Sequence, residues 1–291
     1  MIFDKLDLET VKNAAATCQR WHDIIFSTGY VKRFVFQMNI KYGNEASTQM
    51  HIKEIVAMVA NSQRRYRHLY WDSGQLLMGP SNGYSNLWQA IHPKVTTHLY
   101  SLDISYVNTF DFFSLIADAL PMMSALRSLT IMSNARKFRA QDPIITLRSD
   151  NLKKLLVDVS TDNELNMSQS ILSCSTQLKE LVVDIYEEDE YLKCHAPRRI
   201  MQTLPHLKQL KKLKFINGRF WESNFLRRGA PMHTLHQLHF VESNVESNRF
   251  KQIKQIFPNL KELIFTKCDS WHEIHDRGSE TPSSTESDQD E

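Results

Sequence analysis

The chain has 291 residues, 42% hydrophobic and 23% charged, enough to bury the core of one or two domains. Only eight residues are glycine and none lies in G-x-G-x-x-G or G-x-x-x-x-G-K-[ST], which argues against both common classes of nucleotide-dependent enzyme. A formal charge of +2, from 35 basic and 33 acidic residues, gives no bulk argument for a nucleic-acid partner. No run approaches the roughly 18 apolar residues of a membrane helix. The start, Met1-Ile2-Phe3-Asp4, lacks the basic and apolar regions of a signal peptide. The expectation is an intracellular protein, cytoplasmic and/or nuclear, without a membrane partner. Cys18, Cys174, Cys194 and Cys268 form no C-x-x-C pair and read as reduced, buried hydrophobes.

The first element, within residues 1–45, has helical periodicity. Val11, Ala15, Cys18, Trp21 and Ile25 recur at three- or four-residue steps, which predicts one alanine-rich helical face anchored by Trp21. Such a helix could also cap the open end of a stacked domain.

From residue 46 to 275 a string of the form L-x-x-L-x-[LIVF] recurs. It begins at Leu99, Leu126, Leu152, Leu178, Leu210, Leu235 and Leu260, with a weaker copy at Tyr66, Leu69 and Trp71. The spacing is 25 to 27 residues apart from one insertion, the period of leucine-rich repeats. Within each string the second leucine and the following apolar residue share one face of a strand, while their neighbours face the other way. Amphipathic helices are expected between the strings at Asp111 to Leu120, Asn166 to Cys174, Pro197 to Leu204 and Ser247 to Phe257. Ser247 would be the N-cap of the last and Pro258 its stop. One strand and helix cannot bury its own apolar face, so the repeats must stack into an α/β leucine-rich-repeat solenoid, a curved parallel sheet with convex helices. The outward strand positions would then form a concave face for a protein partner, including Asp103, Lys154, Asp158, Glu180, Asp184, Lys212, Lys214 and His239.

Residues 276–291 form an acidic tail with Glu280, Glu286, Asp288, Asp290 and Glu291, no Lys, and a Ser/Thr-rich stretch open to phosphorylation; disorder is expected. Without these five acids the rest of the chain carries about +7, so the nearly neutral protein is a basic body with an acidic end.

Ile2-Phe3, Leu6, Asp7-Leu8-Glu9, Val11, Cys18-Gln19-Arg20-Trp21 and Ile24 resemble the second half of the F-box motif, and with repeats downstream the chain resembles the F-box/leucine-rich-repeat family. The resemblance implies a small all-helical F-box-like segment before the solenoid, with Ile2, Phe3, Leu6, Leu8, Val11, Cys18 and Trp21 at adaptor-binding positions. It implies partnership with a Skp-family adaptor and cullin complex, and a non-catalytic role as the substrate receptor of a ubiquitin ligase for an unknown protein substrate. No cofactor is implied. The Leu-Pro-x-Glu-x-Leu segment with which family members open is missing, and the expectation is that the chain starts inside the motif. The alternative is a ligase-independent interaction scaffold using the same face.

Other constellations are weaker. His233, His236 and His239 are three apart, so on a strand successive members face opposite sides and do not converge on a metal. His272-Glu273-Ile274-His275 falls one residue short of the H-E-x-x-H zinc spacing. Glu187 to Glu190 read as a solvated loop, and Arg64, Arg65 and Arg67 with Tyr66 and Tyr70 as a strand edge rather than an RNA site.

Overall fold

The computed structural model describes residues 8–27, 36–39, 45–62, 66–72, 82–107, 110–133, 145–185, 190–220, 231–245 and 250–268. A short helical pair opens it, α1 (Leu8–Thr17) and α2 (Gln19–Ser27). The single helical face expected there is broken at Cys18. Thr17 turns its hydroxyl back to donate to Asn13 O and Ala14 O at the end of α1. Val11, Ala15 and Ile25 are buried, whereas Cys18 and Trp21 are exposed, so the break sends residues of one predicted stripe to two environments.

Strands then alternate with helices. They are β1 (Phe36–Asn39), α3 (Glu45–Asn61), β2 (His68–Asp72), α4 (Asn82–Val95), β3 (Ser101–Val107), α5 (Phe110–Ala119), β4 (Ser128–Ser133) and β5 (Lys154–Asp158). The second half runs through α6 (Asp162–Cys174), β6 (Glu180–Asp184), α7 (Glu190–Thr203), β7 (Lys212–Ile216), β8 (Arg219–Phe220), β9 (Gln237–Val241), β10 (Asn244–Val245), α8 (Phe250–Ile256) and β11 (Glu262–Thr266). Nine strands form one parallel sheet in the order β1-β2-β3-β4-β5-β6-β7-β9-β11; β8 and β10 pair separately, also in parallel. Sequential parallel pairing with intervening helices is compatible with a curved α/β solenoid.

The register aligns equivalent residues of successive strings. Leu69, Leu102, Leu129 and Leu155 are Cα partners in turn, as are Leu181, Leu213, Leu238 and Leu263. These positions share one core with helix residues Trp88, Phe113, Ile116, Leu165, Ile171, Ile200 and Ile253. Phe215, Phe240 and Phe265 stack across three strands at centroid spacings of 6.2 and 5.5 Å. Trp71 meets Trp88 edge-on at 5.9 Å between sheet and helix.

Several sequence expectations change. The sheet begins at β1, inside the stretch 1–45, because Phe36 to Asn39 pair with Leu69 to Asp72 although they carry no leucine string. Helix α6 starts at Asp162 rather than Asn166, set by a capping box in which Thr161 Oγ1 accepts from Glu164 N and Glu164 accepts from Thr161 N. Helix α7 starts at Glu190, with Pro197 inside it, since the burial of Ala196 and Ile200 outweighs proline's preference for a first turn. Helix α8 starts at Phe250; Ser247 lies outside the described residues. The cysteines are not all buried. Cys18 is exposed, and Cys174 and Cys268 are half-buried with their thiols donating to Ile171 O and Phe240 O. The Cys194 side chain, the acidic run 186–189, the His272 to His275 string and residues 276–291 lie outside the described residues.

Candidate protein-binding face

Alternation along each strand sends the string residues into the core and leaves a second set on the other face of the sheet. Three rows cross that face. The row at the strand starts includes His68, Ser101, Ser128, Lys154, Glu180 and Lys212; the middle row includes Tyr70, Asp103, Thr130, Leu156, Val182, Lys214 and His239. Toward the strand ends lie Asp72 and Ser105, and farther along the sheet Asp158, Asp184, Ile216, Val241 and Thr266. All eight residues expected on a partner-binding face therefore share the face opposite the core. Most are half-exposed, and Lys154 and Lys212 are exposed.

Asp158 departs from the expectation of a solvent-facing contact residue. It is 6% exposed, because it sits at the end of β5, where the chain turns toward α6 and packs beside the next strand. Alternation determines the face of a residue but not its depth.

Charges of both signs cross this face. At the strand starts Lys154 Nζ pairs with Glu180 Oε2 at 2.8 Å and Lys212 stands beside Glu180. Asp103 and Lys214 lie in the middle row, and Asp72, Asp158 and Asp184 lie toward the strand ends. Burial pushes the Asp103 carboxyl above its ordinary pKa; the Ser105 hydroxyl, donating at 3.0 Å, opposes the rise, and the charge of Asp72 adds to it. Asp184 is pushed up for the same first reason. Asn217 Nδ2, donating at 2.8 Å, and the charge of Lys214 oppose that shift, while Glu242 reinforces it. Tyr70, expected only as part of a strand edge, has its phenol raised by burial and then by Asp72, to which its hydroxyl donates at 3.4 Å. His239 is lowered by burial and then by Lys214, and its Nε2 shares a hydrogen bond with Thr266 Oγ1 at 2.9 Å.

Three residues directly after strands, Asn217, Glu242 and Lys267, adopt left-handed backbone at φ 60°, 47° and 52°. They fall at the same point of three successive strand ends. Two are neither glycine nor asparagine, and the pairing of Lys267 Nζ with Glu242 Oε1 at 2.9 Å helps hold them there. The repeated turn could be found in sequence only by aligning the residues after each string.

At the other end of the chain, Leu8 opens α1, Val11 is buried, and Cys18 and Trp21 are exposed, Trp21 at 43%. Ile2, Phe3 and Leu6 lie outside the described residues. Among the described residues, no group of three or more His, Cys, Asp or Glu side chains is arranged to hold a metal ion, and no helix is long and apolar enough to cross a membrane. No protein-family model matches the chain, and no curated protein matches it in sequence.

Proposed function

We propose that this chain is the substrate-recognition subunit of a Skp–cullin–F-box ubiquitin ligase. In this reading the sheet is that of a leucine-rich-repeat solenoid, which holds a target protein on the face opposite its helices. The α1–α2 pair and the residues before it meet the Skp-family adaptor. Such a receptor contributes proximity and orientation, and other subunits supply the chemistry.

The observation that carries the reading is the register of the sheet. It sets Asp103, Lys154, Glu180, Asp184, Lys212, Lys214 and His239 on one continuous face with side chains still reaching solvent. A helical pair precedes that sheet and leaves a large aromatic, Trp21, exposed. An aromatic that is partly exposed offers apolar area to a partner.

Co-expression with a Skp-family adaptor tests the proposal. The chain is expected to co-purify with the adaptor, and Trp21→Ala is expected to abolish the complex while leaving the melting temperature unchanged. If the folded full-length product of the native transcript binds no adaptor, the ligase reading fails. The same face would then serve a ligase-independent interaction scaffold.

A further inference from the structure

The residue one step before six of the nine strands of the sheet is a lysine or arginine. It is Arg67 before β2, Arg127 before β4, Lys153 before β5, Lys179 before β6, Lys211 before β7 and Lys261 before β11. Backbone hydrogen bonds set these residues in one line. Lys153 N donates to Arg127 O at 2.8 Å, Lys179 N to Lys153 O at 2.9 Å, and Lys211 N to Lys179 O at 2.9 Å. The line continues through His236, whose N donates to Lys211 O and whose O accepts from Lys261 N, both at 2.9 Å. Neighbouring strands stand about 4.8 Å apart, so the rim from β2 to β11 is about 34 Å long.

Among the described residues these rim cations take part in no ion pair. Arg67, Lys179, Lys211 and Lys261 are exposed, and Arg127 and Lys153 are half-buried. Among the described residues, none of the six lies within 4.0 Å of a carboxylate; the ion pairs of Lys154, Arg199 and Lys267 use other cations. Arg127 spends its guanidinium on two neutral carbonyls, Ser124 O and Leu126 O, each at 3.0 Å. Like charges at strand spacing repel by up to about 1 kcal/mol per neighbouring pair in water, so the isolated fold gains nothing from the arrangement.

We infer that this rim docks an extended, carboxylate-rich segment of a partner protein. The inference rests on the reading of the sheet as an interaction surface and names the chemistry of its target; it does not depend on the adaptor. At about 3.4 Å per residue, roughly ten extended residues span the rim. Four of the six cations are lysines, compact charges that accept carboxylates in any orientation, rather than the planar forks that favour phosphate. Tyr100, before β3, and His236, before β9, are the line's two rings, whereas single-stranded nucleic acid is held on a series of stacking rings. Asp72, Asp158 and Asp184 lie at the other end of the strands, so the sheet is polarised and steers an acidic segment to the basic rim.

The test is fluorescence anisotropy of the full chain with a labelled deca-glutamate peptide at low salt. Saturable binding that weakens as salt rises is expected. The double variant Lys179→Glu, Lys211→Glu should bind about tenfold more weakly than Lys53→Glu, Lys254→Glu, which makes the same change in net charge on helices α3 and α8. Lys179→Gln, Lys211→Gln should lose less, which separates lost attraction from misfolding. Equal affinity of the rim and helix double variants overturns the inference, as does tighter binding of an oligouridine of similar length. Peptide binding that emerges only when Glu280, Glu286, Asp288, Asp290 and Glu291 are replaced by amides also overturns it, assigning the rim to the chain's own acidic run. Failure of adaptor co-purification leaves these outcomes untouched.

Discussion

Asp158 and Asp184 are register partners on adjacent strands, so two carboxylates stand side by side on the face opposite the core. The neighbouring backbone ties the strands further, with Val159 N donating to Asp184 O at 2.7 Å. Asp184 keeps its proton to higher pH in the folded chain than in the unfolded one, chiefly through burial. Its contribution to stability is therefore greatest below the ordinary value of 3.8 and declines as pH rises through the folded value.

Asp184→Asn is thus expected to raise the melting temperature at about pH 7 and to have little effect near pH 3.5. The amide oxygen still accepts from Asn217 Nδ2 and carries no charge to desolvate. Thermal melts at the two pH values check this, and a lowered melting temperature at neutral pH contradicts it.

Gly218 marks a close approach. A Cβ there would lie 2.5 and 2.7 Å from two ring carbons of Phe220 and 3.3 Å from Ile185 Cδ1. Phe220 is locked edge-on between Phe215 and Phe240, at centroid distances of 5.1 and 4.8 Å, and cannot swing aside. Gly218→Ala should therefore destabilise the fold by about 1–3 kcal/mol in urea unfolding.

The start of α6 provides a graded series. Thr161→Ala removes one arm of the capping box and should cost about 1 kcal/mol. Glu164→Ala should cost more, about 2–3 kcal/mol, because the buried carboxylate accepts from Ser160 N at 2.7 Å, Ser160 Oγ at 2.8 Å and Thr161 N at 3.2 Å. Glu164→Gln, which keeps an acceptor, should fall between wild type and Glu164→Ala. Chemical denaturation that orders the three differently would refute this account.

Ser168, on the same helix, is fully buried and its hydroxyl has no hydrogen-bond partner. Ser168→Ala removes an unsatisfied polar group and adds helix propensity, so it should be neutral or stabilising by up to about 1 kcal/mol. A clear loss in unfolding free energy would mean that the hydroxyl is satisfied.

How much of this was legible before folding depends on whether the cause is local. Each of the seven leucine strings precedes or enters a strand, because the alternation that buries Leu102 and Ile104 or Leu181 and Val183 is written within six residues. The face of Asp103, Lys154, Glu180, Asp184, Lys212, Lys214 and His239 follows from the same alternation. The Thr161-x-x-Glu164 cap is also a signal present in the sequence, and it starts α6 four residues before the amphipathic stretch from Asn166. Strand β1 has no such signal. Phe36 to Asn39 become a strand by pairing with β2, and that pairing exists only once β2 is formed.

The sequence by itself thus determined the repeating strands, their spacing and which side chains share a face, since these depend on short periods along one chain. The tertiary structure alone decided depth and alignment. It buried Asp158, parted Cys18 and Trp21 from Val11 and Ile25, and drew six separate cations into one line. A lysine before a single strand is an ordinary solvated residue; parallel pairing in constant register sets it within strand spacing of the next and turns scattered charges into a surface.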